Sequence, residues 1–272
     1  MKYNSTAAGP VQNLFFINRA NYYLKIILVY FIMMLSTLTV LAQPVRVAVA
    51  ANAQFVLKKI SADFKQRTGI DVEIISGSSG KLSTQIRNGA PYDLFLSADM
   101  DFARELYTAG FSVTKPRVYA LGSLIVCSTT GLVPENWKTL VKEEKTGKIA
   151  IGNPSVAPYG KAAVQAMNFY GLYKELISRL VFGESISQVN TYVLKGVVNI
   201  GFTTESLVYE LSPAAHFKWV RIDPRAYQPI EQGVVLLKHS KNKNFTNNKR
   251  FYDYLFSAEA RTVFGQYGYR VL

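Results

Sequence analysis

The chain has 272 residues, 49% of them hydrophobic, and 31 basic against 18 acidic side chains give it a formal net charge of +13. That length supports one large domain or two smaller ones with real cores. A single cysteine and two histidines rule out a disulfide framework and argue against a transition-metal cation site.

Residues 1–42 are set aside first. Arg19 and Lys25 precede an apolar run over residues 26–40, broken only by Ser36, Thr37 and Thr39. Val40-Leu41-Ala42 then suits signal-peptidase cleavage before Gln43, so the segment reads as a secretory signal with an N-terminal extension. The run is about 15 residues, short of the roughly 20 that span a bilayer, which disfavours a permanent anchor. No cysteine follows it to carry a lipid. Without Lys2, Arg19 and Lys25 the net charge falls to +10. That excess raises nucleic acid as a partner, yet the basic residues are scattered. Only residues 238–250 are dense, and they read as a solvated loop before the last helices, so no nucleic-acid partner is expected. The positive field would still speed the encounter with a small anion.

Val45, Val47 and Val49 alternate as a first strand. Ala50 and Ala51 are small enough for close approach, and Asn52 reads as the cap of a helix that presents Val56, Ile60 and Phe64 before ending at Gly69. Ile70, Val72 and Ile74 alternate with Asp71 and Glu73 as a second strand. Gly77 and Gly80 then suit a tight turn, and Ser79 suits the N-cap of a helix from near Lys81, with Leu82 and Ile86 on one face and a stop at Gly89. Ordinary capping accounts for either turn alone. In a parallel sheet, however, both turns open at the carboxyl ends of the strands, where α/β folds bind ligands, and helix-start N–H groups with nearby hydroxyls suit an oxyanion. Asp99 reads as the cap of a helix from near Asp101.

Cys127 lies in an apolar run and reads as a buried structural thiol; no motif links it to His216 or His239. Residues 149–151 form a short strand, followed by a loop stiffened by Pro154 and Pro158 and a helix over residues 161–170. Tyr159, at that helix start, either aims its N–H and phenol at a ligand or serves as a packing plug. Around Ser185-Ile186-Ser187 a helix is expected from Ser187 to before Gly196. Its hydroxyls are caps, or the Ile186 N–H is a ligand donor. Residues 197–202 read as a strand, with a helix beginning at Thr203 and Thr204.

The stretch GSSGKLSTQIRNGAPYDLFLSAD, with VAVAANAQF before it and IGNPSVAPYGKAA after it, resembles the periplasmic molybdate-binding proteins of bacterial ABC importers, close to the branch with an APYG loop. The likeness extends from Pro44 to Leu272 and includes the closing FYDYLFSAEARTVFGQYGY. It implies an α/β, two-lobed type II periplasmic binding fold, each lobe a mixed sheet flanked by helices, with the ligand in the cleft between them. Domain I would take residues 44–122 and 224–272, and domain II residues 123–223. The implied ligand is molybdate or tungstate, held by hydroxyls, an amide side chain and backbone N–H groups. By motif, the contacts fall on Asn52 with Ala51 beside it, on Ser79, on Tyr159 and on Ile186. Two positions depart from the family pattern: Ala51 lacks a hydroxyl found in some relatives, and Thr204 stands where other branches place a ligand tyrosine. The Tyr159 phenol is the expected replacement. The resemblance further implies a monomer that delivers its ligand to a membrane permease, with no catalytic residue, no cofactor and no bare metal ion. The alternatives are a binding protein for sulfate or an organic anion, or an enzyme using Asp93 or Asp99, the nearest carboxylates.

Overall fold

The computed structural model describes residues 25–27, 43–132, 134–211, 216–242 and 244–272. The signal-sequence reading falls almost wholly outside them. Among the described residues no helix is long and apolar enough to cross a membrane.

The chain opens with β1 (Val45–Ala50), α1 (Gln54–Thr68), β2 (Val72–Gly77), α2 (Ser79–Arg87), β3 (Leu94–Leu96), α3 (Asp101–Thr108) and β4 (Arg117–Gly122). Only Ser123 separates β4 from β5 (Leu124–Ser128), which begins the second sheet. That sheet continues through β6 (Ile149–Gly152), α4 (Pro158–Phe169), β7 (Leu180–Gly183), α5 (Ile186–Leu194), β8 (Ile200–Thr204), α6 (Ser206–Glu210) and β9 (Lys218–Arg221). The chain then returns to the first sheet as β10 (Ile230–Leu236) and ends with α7 (Phe245–Tyr254) and α8 (Ala258–Gln266).

The two sheets repeat one plan. The first has the order β2-β1-β3-β10-β4, the second β7-β6-β8-β5-β9. In the first, β1 runs parallel to β2 and β3 while β10 is antiparallel to β3 and β4. In the second, β6 is parallel to β7 and β8 while β5 is antiparallel to β8 and β9. Both sheets are mixed and covered by helices. The β1 sequence explains the layering: Val45, Val47 and Val49 face a cluster with Val56, Ile60, Phe64, Phe251 and Phe264, whereas Ala48 faces Leu82, Ile86 and Leu106. A strand buried on both faces needs apolar side chains at every position that meets a helix. Phe64 and Phe251 meet edge to face at 5.0 Å and join α1 to α7.

Two expectations fail here. Thr203 and Thr204 belong to β8, paired with Ile125 and Leu124, and a helix starts only at Ser206. β-branched threonines fit a fully buried strand. The dense basic stretch is also not a loop throughout: a 3-10 turn at Lys238–Asn242 precedes α7, which buries Asn248, Phe251 and Tyr252. The apolar face outweighs the polar composition of its first turns.

Candidate functional site

The strand-to-helix turns of the two lobes meet at a small cavity of about 10 Å3. The first lobe contributes Ala50, Ala51, Asn52, Ser78, Ser79 and Ala98; the second contributes Ala157, Pro158, Tyr159 and Ile186. All five residues singled out in the sequence therefore line one cavity, and none of the ten lining residues carries a charge. Sequence reasoning missed Ala98 and Ala157 as lining residues, although each adjoins a motif that it used. Three helices, α2, α4 and α5, begin at this point, so their first N–H groups, which lack intrahelical acceptors, converge with positive dipole ends.

The capping role expected of Ser79 falls to Ser78. Ser78, in extended conformation, is the N-cap of α2, its hydroxyl accepting from the Lys81 N–H at 3.4 Å. Ser79 is the first helical residue, and its Oγ accepts from the Ala98 N–H at 2.9 Å. A hydroxyl that accepts in this way keeps its own proton free to donate. Gly77 and Gly80 do not adopt left-handed angles, contrary to the tight-turn expectation. Gly80 is required by close approach instead. A Cβ there would lie 2.9 Å from Val156 Cα in the other lobe, and the Gly80 N–H donates to the Val156 carbonyl at 3.0 Å.

Asn52 does not cap α1. A 3-10 turn over Ala51–Ala53 intervenes, and the N-cap Ala53 makes no side-chain bond. The Asn52 amide turns inward and donates to Gln232 Oε1 at 2.8 Å and to Tyr269 OH at 3.1 Å. The main-chain carbonyl of Asn52 accepts from Tyr269 OH at 2.7 Å and Ser206 Oγ at 2.9 Å. Both amide protons are thus committed inside the protein, which leaves the Asn52 side chain no spare donor, contrary to the amide contact that the resemblance implied.

Helix α4 begins at Pro158, three residues before the expected Lys161, because proline is preorganised for the first helical position. Tyr159 is fully buried. Its phenol accepts from Gln232 Nε2 at 3.2 Å, and a Cβ on Gly122 would collide with that hydroxyl. Burial pushes the phenol well above its ordinary pKa, so it stays neutral. The ring packs as a buried plug whose hydroxyl is held by Gln232 and lies beside Thr204, and its backbone belongs to the helix start. Thr204 bonds to Ser206 and reaches the Tyr159 and Tyr269 phenols. In the second lobe Ile186, one residue earlier than expected, opens α5 behind the N-cap Ser185, whose hydroxyl accepts from the Gln188 N–H at 3.4 Å.

The carboxylates stay clear of the cavity. Asp93 accepts from the Arg46 N–H at 2.8 Å and Asn248 Nδ2 at 3.0 Å, and Asp99 accepts from the Phe102 N–H at 3.2 Å as a cap for α3. Asp99 faces a separate groove of about 370 Å3 together with Asp101, Lys161 and Glu231. Cys127 is buried in β5 with its thiol pushed up to about 12 by desolvation, a neutral structural group. No group of three or more His, Cys, Asp or Glu among the described residues could hold a metal ion.

The profile of the bacterial extracellular solute-binding protein family matches residues 45–270. This chain belongs to that family. The solute-binding protein is 34% identical over 229 residues to the molybdate-binding protein ModA of Azotobacter vinelandii, an alignment covering 84% of this chain and 90% of the relative. It is 34% identical over 223 residues to ModA of Rhodobacter capsulatus, covering 82% and 86%. The solved Azotobacter vinelandii periplasmic molybdate-binding protein superposes on it with a TM-score of 0.77 at 29% identity, covering 84% of this chain and 99% of that one. The expected two-lobed type II periplasmic binding fold is the fold of this solute-binding protein.

Proposed function

We propose that this protein captures molybdate, and tungstate with it, outside the cytoplasm and delivers it to the membrane permease of an ABC importer. The convergence of Ala51, Asn52, Ser79, Tyr159 and Ile186, from both lobes, on a cavity with no charged lining residue carries the reading. The donors are the Ser79 hydroxyl and the N–H groups at the helix starts. Each hydrogen bond to a charged guest contributes roughly 1.5 to 3 kcal/mol, and no cation is stranded when the guest leaves. A donor-only site accepts a fully deprotonated oxyanion but gives hydrogen phosphate no acceptor for its proton. Sulfate has no such proton and is rejected by size, its bonds being shorter than those of molybdate; tungstate nearly matches molybdate.

In this reading the lobes are residues 44–122 with 224–272, and 123–223, and they close as a hinged monomer on the guest. The chain is secreted by cleavage before Gln43, and it binds without catalysing a reaction. Calorimetric titration with molybdate, tungstate, sulfate and phosphate tests the assignment. Tight binding of the first two and weak binding of the others is expected; preference for sulfate or phosphate would overturn it.

A further inference from the structure

Beneath the cavity lies a buried polar side chain that the anion reading does not use. Gln232 is fully buried on β10. Its Oε1 accepts from Asn52 Nδ2 at 2.8 Å and from Tyr119 OH at 2.8 Å, while its Nε2 donates to Tyr159 OH at 3.2 Å. Asn52 and Tyr119 belong to the first lobe, Tyr159 to the second. One planar amide therefore joins Asn52, in the first strand-to-helix turn of one lobe, to Tyr159, in the first turn of α4 in the other.

Two backbone features serve this junction. The pairing of β10 with β4 slips between Gln232 and Gly233, and a bulge of this kind re-aims a side chain. On β4, two residues beyond Ala120, the register partner of Gln232, Gly122 ends the strand without a side chain. A Cβ there would sit 2.8 Å from Gln232 Nε2 and would collide with the Tyr159 hydroxyl. A disrupted ladder and a bare glycine at the crossing would be unfavourable choices if the region had only to pack apolar side chains.

We infer that Gln232 is a positioning residue for anion retention, fixing the backbone donors of Asn52 and Tyr159 relative to one another and holding the two lobes together once the guest is bound. The inference rests on the anion-binding reading of the cavity. A residue that holds the closed arrangement acts on release and leaves capture alone, since the guest enters before the lobes lock.

The experiment is a double-mutant cycle of Gln232→Leu and Tyr159→Phe, followed by stopped-flow association and dissociation of molybdate, tungstate and sulfate and by thermal melting. Tyr159→Phe keeps the ring and the backbone N–H and removes only the hydroxyl that Gln232 holds, so it remains informative if Gln232→Leu fails to fold. Each single variant is expected to release molybdate about tenfold faster, the consequence of stranding a buried hydrogen-bonding group, with association within about threefold of the parent. The double variant should lose less than the sum of the two single losses, because both singles remove one shared bond. Unchanged release by a normally melting Tyr159→Phe protein, or losses that add in the double variant, would overturn the inference. A parent protein that binds sulfate and not molybdate defeats the molybdate reading, and the same cycle read on sulfate still judges Gln232. A parent protein that binds none of these anions defeats both.

Discussion

At Ser79 one hydroxyl carries two hydrogen bonds of different purpose, and the first sets up the second. By accepting from the Ala98 N–H, Oγ is pinned beside the cavity with its proton left to donate. Ser79→Ala is expected to weaken molybdate binding by about 1 to 3 kcal/mol, the range for leaving a buried group short of its partner, as read by calorimetry. Gly80 gives a test with opposed signs. Alanine suits a helix better than glycine by roughly 1 kcal/mol, but its Cβ would meet Val156 of the other lobe at 2.9 Å. Gly80→Ala should therefore melt no lower than the parent without anion yet gain a smaller rise in melting temperature on adding molybdate. An equal rise would show that the approach of Gly80 to Val156 is not part of closure.

At the scale of elements, capping and binding fall on neighbouring serines and can be separated. Ser78 satisfies the start of α2 with its side chain, so Ser78→Ala should cost about 1 kcal/mol of stability in denaturant unfolding. Its effect on affinity should be smaller than that of Ser79→Ala. Helix stops were legible in the sequence for a local reason. Gly69, Gly89 and Gly196 all take positive φ at helix ends, and only glycine does so without strain. Helix starts were less legible. Asn52 is a good cap by type, but Gln232, 180 residues away, takes its amide. The Thr203-Thr204 pair looked like a helix start because its strand partners, Ile125 and Leu124, lie far upstream.

For the molecule as a whole, a basic chain surrounds an uncharged cavity, and the two act at different steps. Lys81 and Lys161 lie nearest the helix starts, and both pair with carboxylates across the lobe boundary, Glu184 at 3.8 Å and Asp101 at 3.1 Å. Exposed pairs of this kind are worth about 0 to 1 kcal/mol. Lys81→Met or Lys161→Met should therefore change molybdate affinity by less than about tenfold, while added salt slows association through screening of the whole field. A larger loss in calorimetry for either lysine would show a cation contacting the guest.

The sequence by itself determined the alternation that builds β1 and β2, the glycines that end helices, and the set of small and polar residues at four turns. Each of these depends on a residue and its near neighbours along the chain. Only the tertiary structure decided what those residues do. It gave the cap to Ser78 and not Ser79, turned the Asn52 amide and the Tyr159 phenol inward, placed Gly80 against Val156, and gathered the turns of two separate sheets around one cavity. A buried polar group is oriented by whichever partner can satisfy it, and these partners come from distant strands or from the other lobe.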